Sequence, residues 1–353
     1  MVQTVKKLSR QRSDKGSRIY RSETNGFDSR KAKEVKMANI ALLNRCNLRC
    51  KYCFADNYTE GEREDISTKT FLELLDFASP DREVGIIGGE PLLHKGFDEL
   101  MEIIKNDFRF LRATIFTNGI FIDKHLDILS HPKFIILINV NSIKNIGKDN
   151  YNRIDENIGL LINRGMKNAI TLGINVYEEN QDFSDFLYLV EKYVFKRVRV
   201  SVVIPHNKSE GGINYFYKMK ATLFNLYKKL KELNACPCYD CNAIPECVYT
   251  DEEKSFLASL PFLNEYERDI FMGKRSVCSP VIDLYPDKSA TRCFGCYDSL
   301  RVNIDDFKNI NDLKNHFFME IDARKVHSYS REECKSCYKY KTFGCFGGCL
   351  CYK

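Results

Sequence analysis

Three cysteines, Cys46, Cys50 and Cys53, stand in NRCNLRCKYCF with three and then two residues between thiols, directly after the short apolar run ANIALLN. A 4Fe-4S cluster takes four thiolate ligands, so three leave one iron open to a small molecule. Zinc sites close four ligands, and no fourth Cys or His stands nearby. The tetrapeptide Gly88-Gly89-Glu90-Pro91 begins 35 residues beyond Cys53 and follows a second apolar run. Its glycines allow a ligand close to the backbone, and its carboxylate satisfies a cation.

Other polar clusters end later apolar runs. They are Thr117-Asn118-Gly119, then Asn139-Val140-Asn141-Ser142 with Arg153 downstream, and Ile204-Pro205-His206. His94 sits just after the Gly-Gly-Glu-Pro turn; a lone histidine is a weak signal, and for His206 a surface or satisfied core role reads at least as well as contact with a ligand.

The elements that must hold these residues alternate. ANIALLN, REVGIIGG, ATIFTN, FIILINVN, AITLGINV and VRVSVVIP are β-branched runs, each followed by an amphipathic stretch. Helices are predicted at Ser67 to Phe77, Phe97 to Asn106, Asp123 to Leu129, Asn152 to Asn163, Phe183 to Tyr193 and Tyr215 to Leu233. Six βα units predict an α/β fold with a parallel sheet whose ligands gather at the carboxyl ends of the strands, where the polar clusters fall. Near Asn234 the pattern gives way to cysteine-punctuated segments around one predicted helix, Asp251 to Met272.

CxxxCxxC with the aromatic Tyr52 before its last cysteine resembles the signature of the radical S-adenosylmethionine (radical SAM) superfamily. The resemblance implies a partial (β/α)6 TIM-like barrel. In that family the open iron chelates the amino and carboxylate groups of S-adenosylmethionine. One electron then breaks the bond from sulfur to C5′, and the 5′-deoxyadenosyl radical abstracts a substrate hydrogen. The resemblance also implies that Gly88, Gly89, Glu90 and Pro91 meet the methionine amino group and that Thr117, Asn118, Asn139, Asn141 and Ser142 border the ribose and carboxylate. Arg153 would face the carboxylate, and Ile204 and His206 the adenine. Asn139 departs from the serine common there.

Twelve further cysteines follow, with CKSCYKYKTFGCFGGC near the end. That segment resembles the SPASM extension of radical SAM enzymes, a cysteine-rich, twitch-like iron-sulfur domain, although its gap of seven residues exceeds the usual five. By that analogy one auxiliary cluster would use Cys247, Cys278, Cys293 and Cys349, and a second Cys334, Cys337, Cys345 and Cys351, with Cys296 able to exchange. CPCYDCNAIPEC, with Cys236, Cys238 and Cys241, lies outside the SPASM pattern. Zinc ribbons are the alternative for these thiols, since two CxxC pairs alone do not tell zinc from iron.

The expected organisation is a basic arm over 1–36, the barrel over 37–233, a cysteine-containing linker and helix over 234–277 and the SPASM-like domain over 278–353. The arm holds eleven Lys or Arg against four Asp or Glu, whereas the whole chain of 353 residues carries +6. Such an arm reads as a solvated tail, with an acidic peptide as another role and nucleic acid less expected. No apolar run approaches the roughly 18 residues of a membrane span, and no signal peptide is evident, so a cytoplasmic protein is expected. Fifteen cysteines without an export signal favour metal over disulfides.

No Ser-His-Asp set or carboxylate pair stands out. The resemblance to peptide-modifying relatives therefore gives the functional expectation. It is hydrogen abstraction from a ribosomally made peptide with formation of a C–C or thioether cross-link, an external one-electron reductant such as flavodoxin or ferredoxin supplying the electron. Epimerisation and formylglycine formation are alternatives, and an iron-sulfur electron-transfer or scaffold protein is the alternative of another class. No leader-binding domain is evident ahead of the barrel, so leader recognition would need another route.

Overall fold

The computed structural model describes residues 37–353 except 54, 60–63, 204–212, 240–243, 275–280, 297–299, 326–327, 329–330, 343 and 353. Six strands follow one another in chain order as parallel neighbours: β1 (Ala38–Ala41), β2 (Glu83–Ile87), β3 (Arg112–Thr117), β4 (Phe134–Asn139), β5 (Ile170–Val176) and β6 (Arg197–Val202). Their β-branched residues suit a pleated surface buried on its outer face. In β3 burial alternates, Ala113, Ile115 and Thr117 being covered while Thr114 and Phe116 are half-buried.

Helices cover the buried face. Phe71, Leu74 and Leu75 of helix Thr68–Ala78 lie in the core, as do Phe97, Leu100, Met101 and Ile104 of helix Phe97–Asn106. Ser67 caps the first by accepting the Thr70 N–H at 3.0 Å, and acidic Asp98 and Glu99 open the second with Lys105 closing it, as the helix dipole favours. Helices Lys148–Asn163, Ser184–Lys192 and Ile213–Glu232 fall where the periodicity predicts them, within a few residues at each end.

The sheet runs further than six units. β7 (Cys236–Tyr239) pairs parallel with β6, and β8 (Asp283–Leu284) pairs parallel with β1. β9 (Ser289–Thr291) and β10 (Arg301–Asn303) add antiparallel, giving the order β10-β9-β8-β1-β2-β3-β4-β5-β6-β7. The sheet is therefore open, like a partial barrel. Cys236-Pro237-Cys238, expected within a cysteine-punctuated segment, forms this edge strand, where a proline is tolerated.

The single helix predicted from Asp251 to Met272 is two, Asp251–Ala258 and Glu265–Phe271. Pro261 and Phe262, the latter at φ +59°, interrupt them. Each starts with a capping box, Thr250 with Glu253 and Asn264 with Glu267, so each has its own start signal.

Candidate functional site

Because β1 to β6 run parallel, the loops leaving their carboxyl ends share one rim. The first carries the cysteine triad and is tied down along its length. Leu42 N–H donates to Ile87 O at 2.9 Å, Asn44 Oδ1 accepts the Glu64 N–H at 3.0 Å, and Arg45 reaches both Asp65 at 2.8 Å and Leu93 O at 3.0 Å. The Cys46 sulfur accepts the Leu48 N–H at 3.4 Å, and the Cys53 N–H closes a turn onto Cys50 O at 3.0 Å.

All three triad thiols are half-buried. Burial pushes Cys46 up to about 12 and Cys50 up to about 11, and the neighbouring cysteines reinforce both shifts. Bare thiols there keep their protons at neutral pH, so metal entry must displace them. Among the described residues no fourth metal-binding side chain closes the triad into a single-ion cage, and three sulfurs on one loop fit three irons of a cluster. Cys53 also packs against a buried cluster of Ala41, Ala55, Ile87 and an aromatic trio, Tyr58, Tyr285 and Phe294, whose ring centroids are 5.0 to 6.0 Å apart.

The Gly88-Glu90 turn is stitched onto that loop. Gly89 N–H donates to Leu43 O and Glu90 N–H to Arg45 O, each at 2.9 Å. A Cβ on Gly88, at φ +149°, would come within 2.5 Å of Leu43 O, and one on Gly89 within 2.2 Å of Arg45 O. The glycines thus admit the protein's own cysteine loop, where the sequence alone suggested room for a ligand. Glu90 is 1% exposed, and its carboxylate accepts from Thr117 Oγ1 at 2.7 Å, Asn118 N at 2.7 Å and Leu92 N at 3.2 Å. Burial outweighs these three donors and raises it to about 7. A cationic group beside it would restore its charge.

Asn118 Nδ2 donates to Asn47 Oδ1 at 2.8 Å, bringing the end of β3 to the triad loop. Asn141 lies deeper: its Oδ1 accepts the Tyr52 hydroxyl and stands 3.6 Å from the Cys50 sulfur. Tyr52 stacks on Tyr177 with centroids 4.5 Å apart. Beside them opens a cavity of about 190 Å³ lined by Asn141, Ser142, Lys144, Asn175, Asp182 and Asp185, among others. Asn139 Oδ1 accepts from Arg199 at 3.1 Å.

Arg153, expected at the cofactor carboxylate, and His94, noted beside the Gly-Gly-Glu-Pro turn, have local partners. Arg153 is half-exposed and faces Asp123 at 3.6 Å over the Phe121 ring. His94 bonds Ile66 O at 3.0 Å and the Gly96 N–H at 3.1 Å, the contacts of a structural histidine. Ile204, His206 and Cys278 lie outside the described residues. Sequence reasoning missed Tyr177, Asn175 and Arg199, although a polar residue interrupting an otherwise apolar strand was the available signal.

The later cysteines are sorted differently from the analogy. Cys293, Cys296 and Cys351 bring their sulfurs within 4.8 Å of one another, with Cys349 packed against them. Cys247, expected with Cys293, instead lies close enough to Cys334 and Cys345 for their charges to act on it. Cys351 is drawn to Cys293 because it follows Cys349 by two residues, within one short turn, Leu350–Tyr352. Cys337 is exposed.

Residues 40–191 match the family model of the radical SAM superfamily. A GTP 3′,8-cyclase of Synechocystis is 29% identical over 160 residues, 42% of this chain and 48% of that one, so the chain spans about half of that relative's length. A probable GTP 3′,8-cyclase of Methanococcus aeolicus is 24% identical over 84% of this chain and 97% of its own. Among solved structures, anSMEcpe with bound AdoMet and the Kp18Cys peptide gives a TM-score of 0.62 at 19% identity, covering 89% of this chain and 88% of that one. Streptococcus suis SuiB bound to precursor peptide SuiA gives 0.59 at 15%, covering 91% and 73%. These likenesses share the fold. The family uses S-adenosylmethionine with a 4Fe-4S cluster. Among the described residues no helix is long and apolar enough to cross a membrane.

Proposed function

We propose that this chain, which belongs to the radical SAM superfamily through residues 40–191, holds its cluster on Cys46, Cys50 and Cys53 and abstracts hydrogen from a peptide. The observation that carries the reading is the seam between the cysteine loop and the turn bearing Glu90, which brings the triad loop to a buried carboxylate whose charge acts on Cys46. When bound, the reduced cluster supplies the electron that splits S-adenosylmethionine into methionine and a 5′-deoxyadenosyl radical.

The protein's residues have the remaining work. Glu90 receives the ammonium of the methionine moiety, exchanging the penalty of a buried lone charge for an ion pair. Thr117 and Asn118 orient that carboxylate through its two oxygens. The cavity beside Tyr52 and Tyr177 receives the reacting partners, and its walls exclude water from a radical that any stray donor would quench. The outcome proposed for the peptide is a C–C or thioether cross-link. The peptide-bound structures of anSMEcpe and SuiB, alike in fold, support a peptide in such a rim.

GTP is the second reading, favoured by the relatives that are GTP 3′,8-cyclases. Anaerobic reconstitution, reduction and addition of S-adenosylmethionine test the shared step through 5′-deoxyadenosine, which Cys50→Ala abolishes. Adding GTP or candidate precursor peptides separates the two. A peptide losing the mass of two hydrogens supports the first reading, and a cyclised nucleotide replaces it.

A further inference from the structure

Cys293 and Cys296 form a CxxC pair just after β9, while Cys349 and Cys351 come from the far end of the sequence. The Cys351 sulfur lies 3.6 Å from that of Cys293 and 3.1 Å from that of Cys296, and these three form a group within 4.8 Å of one another; Cys349 packs in the same buried cluster, outside that tight group, and is its fourth thiol. Thiolates about 2.3 Å from one zinc ion at tetrahedral corners stand about 3.8 Å apart. In an iron-sulfur cube each cysteine binds a different iron, so its sulfurs spread around the cube. Cys46, Cys50 and Cys53 show no such tight grouping, which is a contrast within one molecule.

The surroundings suit a closed, anionic centre. Cys296, Cys349 and Cys351 are buried and Cys293 is half-buried. The fully buried Arg292 holds Asp322 and places its guanidinium 3.9 Å from the Cys293 sulfur, countering thiolate charge. The Cys296 N–H bonds Cys293 O at 2.8 Å, forming a tight turn between two ligands, and the Cys351 N–H donates to the Cys349 sulfur at 3.4 Å.

We propose that Cys293, Cys296, Cys349 and Cys351 bind a single tetrahedral metal ion of the zinc class, a structural centre separate from the triad. It departs from the auxiliary-cluster ligand sets that the sequence suggested, and it does not rest on which substrate is used.

The test reads metal content on the full chain purified anaerobically with zinc and iron both supplied. The expected result is about one zinc per chain, falling below about a tenth in Cys296→Ser and Cys351→Ser while triad iron stays, and unaffected by Cys50→Ala. If those two serine variants keep their zinc, or lose about four irons with matching sulfide, the proposal is overturned. Cobalt titration of the metal-free wild-type chain gives an independent readout that needs no variant to fold. Tetrahedral tetrathiolate absorption supports the site, and octahedral cobalt alone overturns it.

Discussion

The carboxylate of Glu90 accepts the hydroxyl of Thr117 at 2.7 Å, tying the turn after β2 to the end of β3 beneath the cysteine loop. That bond and the Asn118 N–H leave the carboxylate fixed before any ligand arrives, so its removal acts on binding more than on shape. Glu90→Gln is expected to weaken S-adenosylmethionine binding by about 10- to 100-fold, as loss of a charged hydrogen bond does. Equilibrium dialysis on reconstituted protein checks this, with iron content unchanged.

Gly89→Ala presses a methyl group into Arg45 O. Backbone faces backbone there, so relief requires the cysteine loop to move. We expect a cost of about 1–3 kcal/mol in stability and loss of iron from the triad, read by thermal unfolding and iron analysis. An alanine at Gly165, where a Cβ meets nothing within 4 Å despite its positive φ, should leave iron unchanged.

Asp283 of β8 accepts Asn39 Nδ2 of β1 at 2.7 Å and is wholly buried, which raises it from 3.8 to about 7. Between those values the folded protein keeps a proton that the unfolded chain has released. Stability therefore falls as pH rises from about 4 to 7, and it is retained below that window. Glu90 adds in the same direction. Asp283→Asn should flatten the pH dependence of the melting temperature across the window; an unchanged slope would refute this account.

Arg292 and Asp322 form a buried ion pair beside the C-terminal thiols. Replacing only one partner strands the other, so Arg292→Met is expected to cost about 3–5 kcal/mol. Changing both partners together to apolar residues should recover much of that, as a double-mutant cycle in denaturant would show.

Where the information was local, the sequence was readable. The cysteine triad, the Gly-Gly-Glu-Pro turn and the six βα units each repeat or cluster within a few residues, and the helix from Phe97 to Asn106 appears with its predicted ends. The thiol grouping was not readable because Cys293 and Cys351 meet across 58 residues, a pairing that spacing rules between neighbours cannot rank. Arg199 was missed for a related reason. Its partner Asn139 lies two strands away, and only the alternation of inward and outward positions brings them to one face.

Cys53 packs against a cluster that includes Tyr58, Tyr285 and Phe294, so the wall beside that end of the triad draws on segments separated by more than two hundred residues of chain. Timing follows from that arrangement. A nascent chain that has emerged only through the cysteine loop lacks this wall, and iron delivered then would meet an incomplete, solvent-open nest. If the triad holds the proposed cluster, its insertion is expected after the segment from Asp283 to Phe294 has docked on β1, late in the protein's biogenesis.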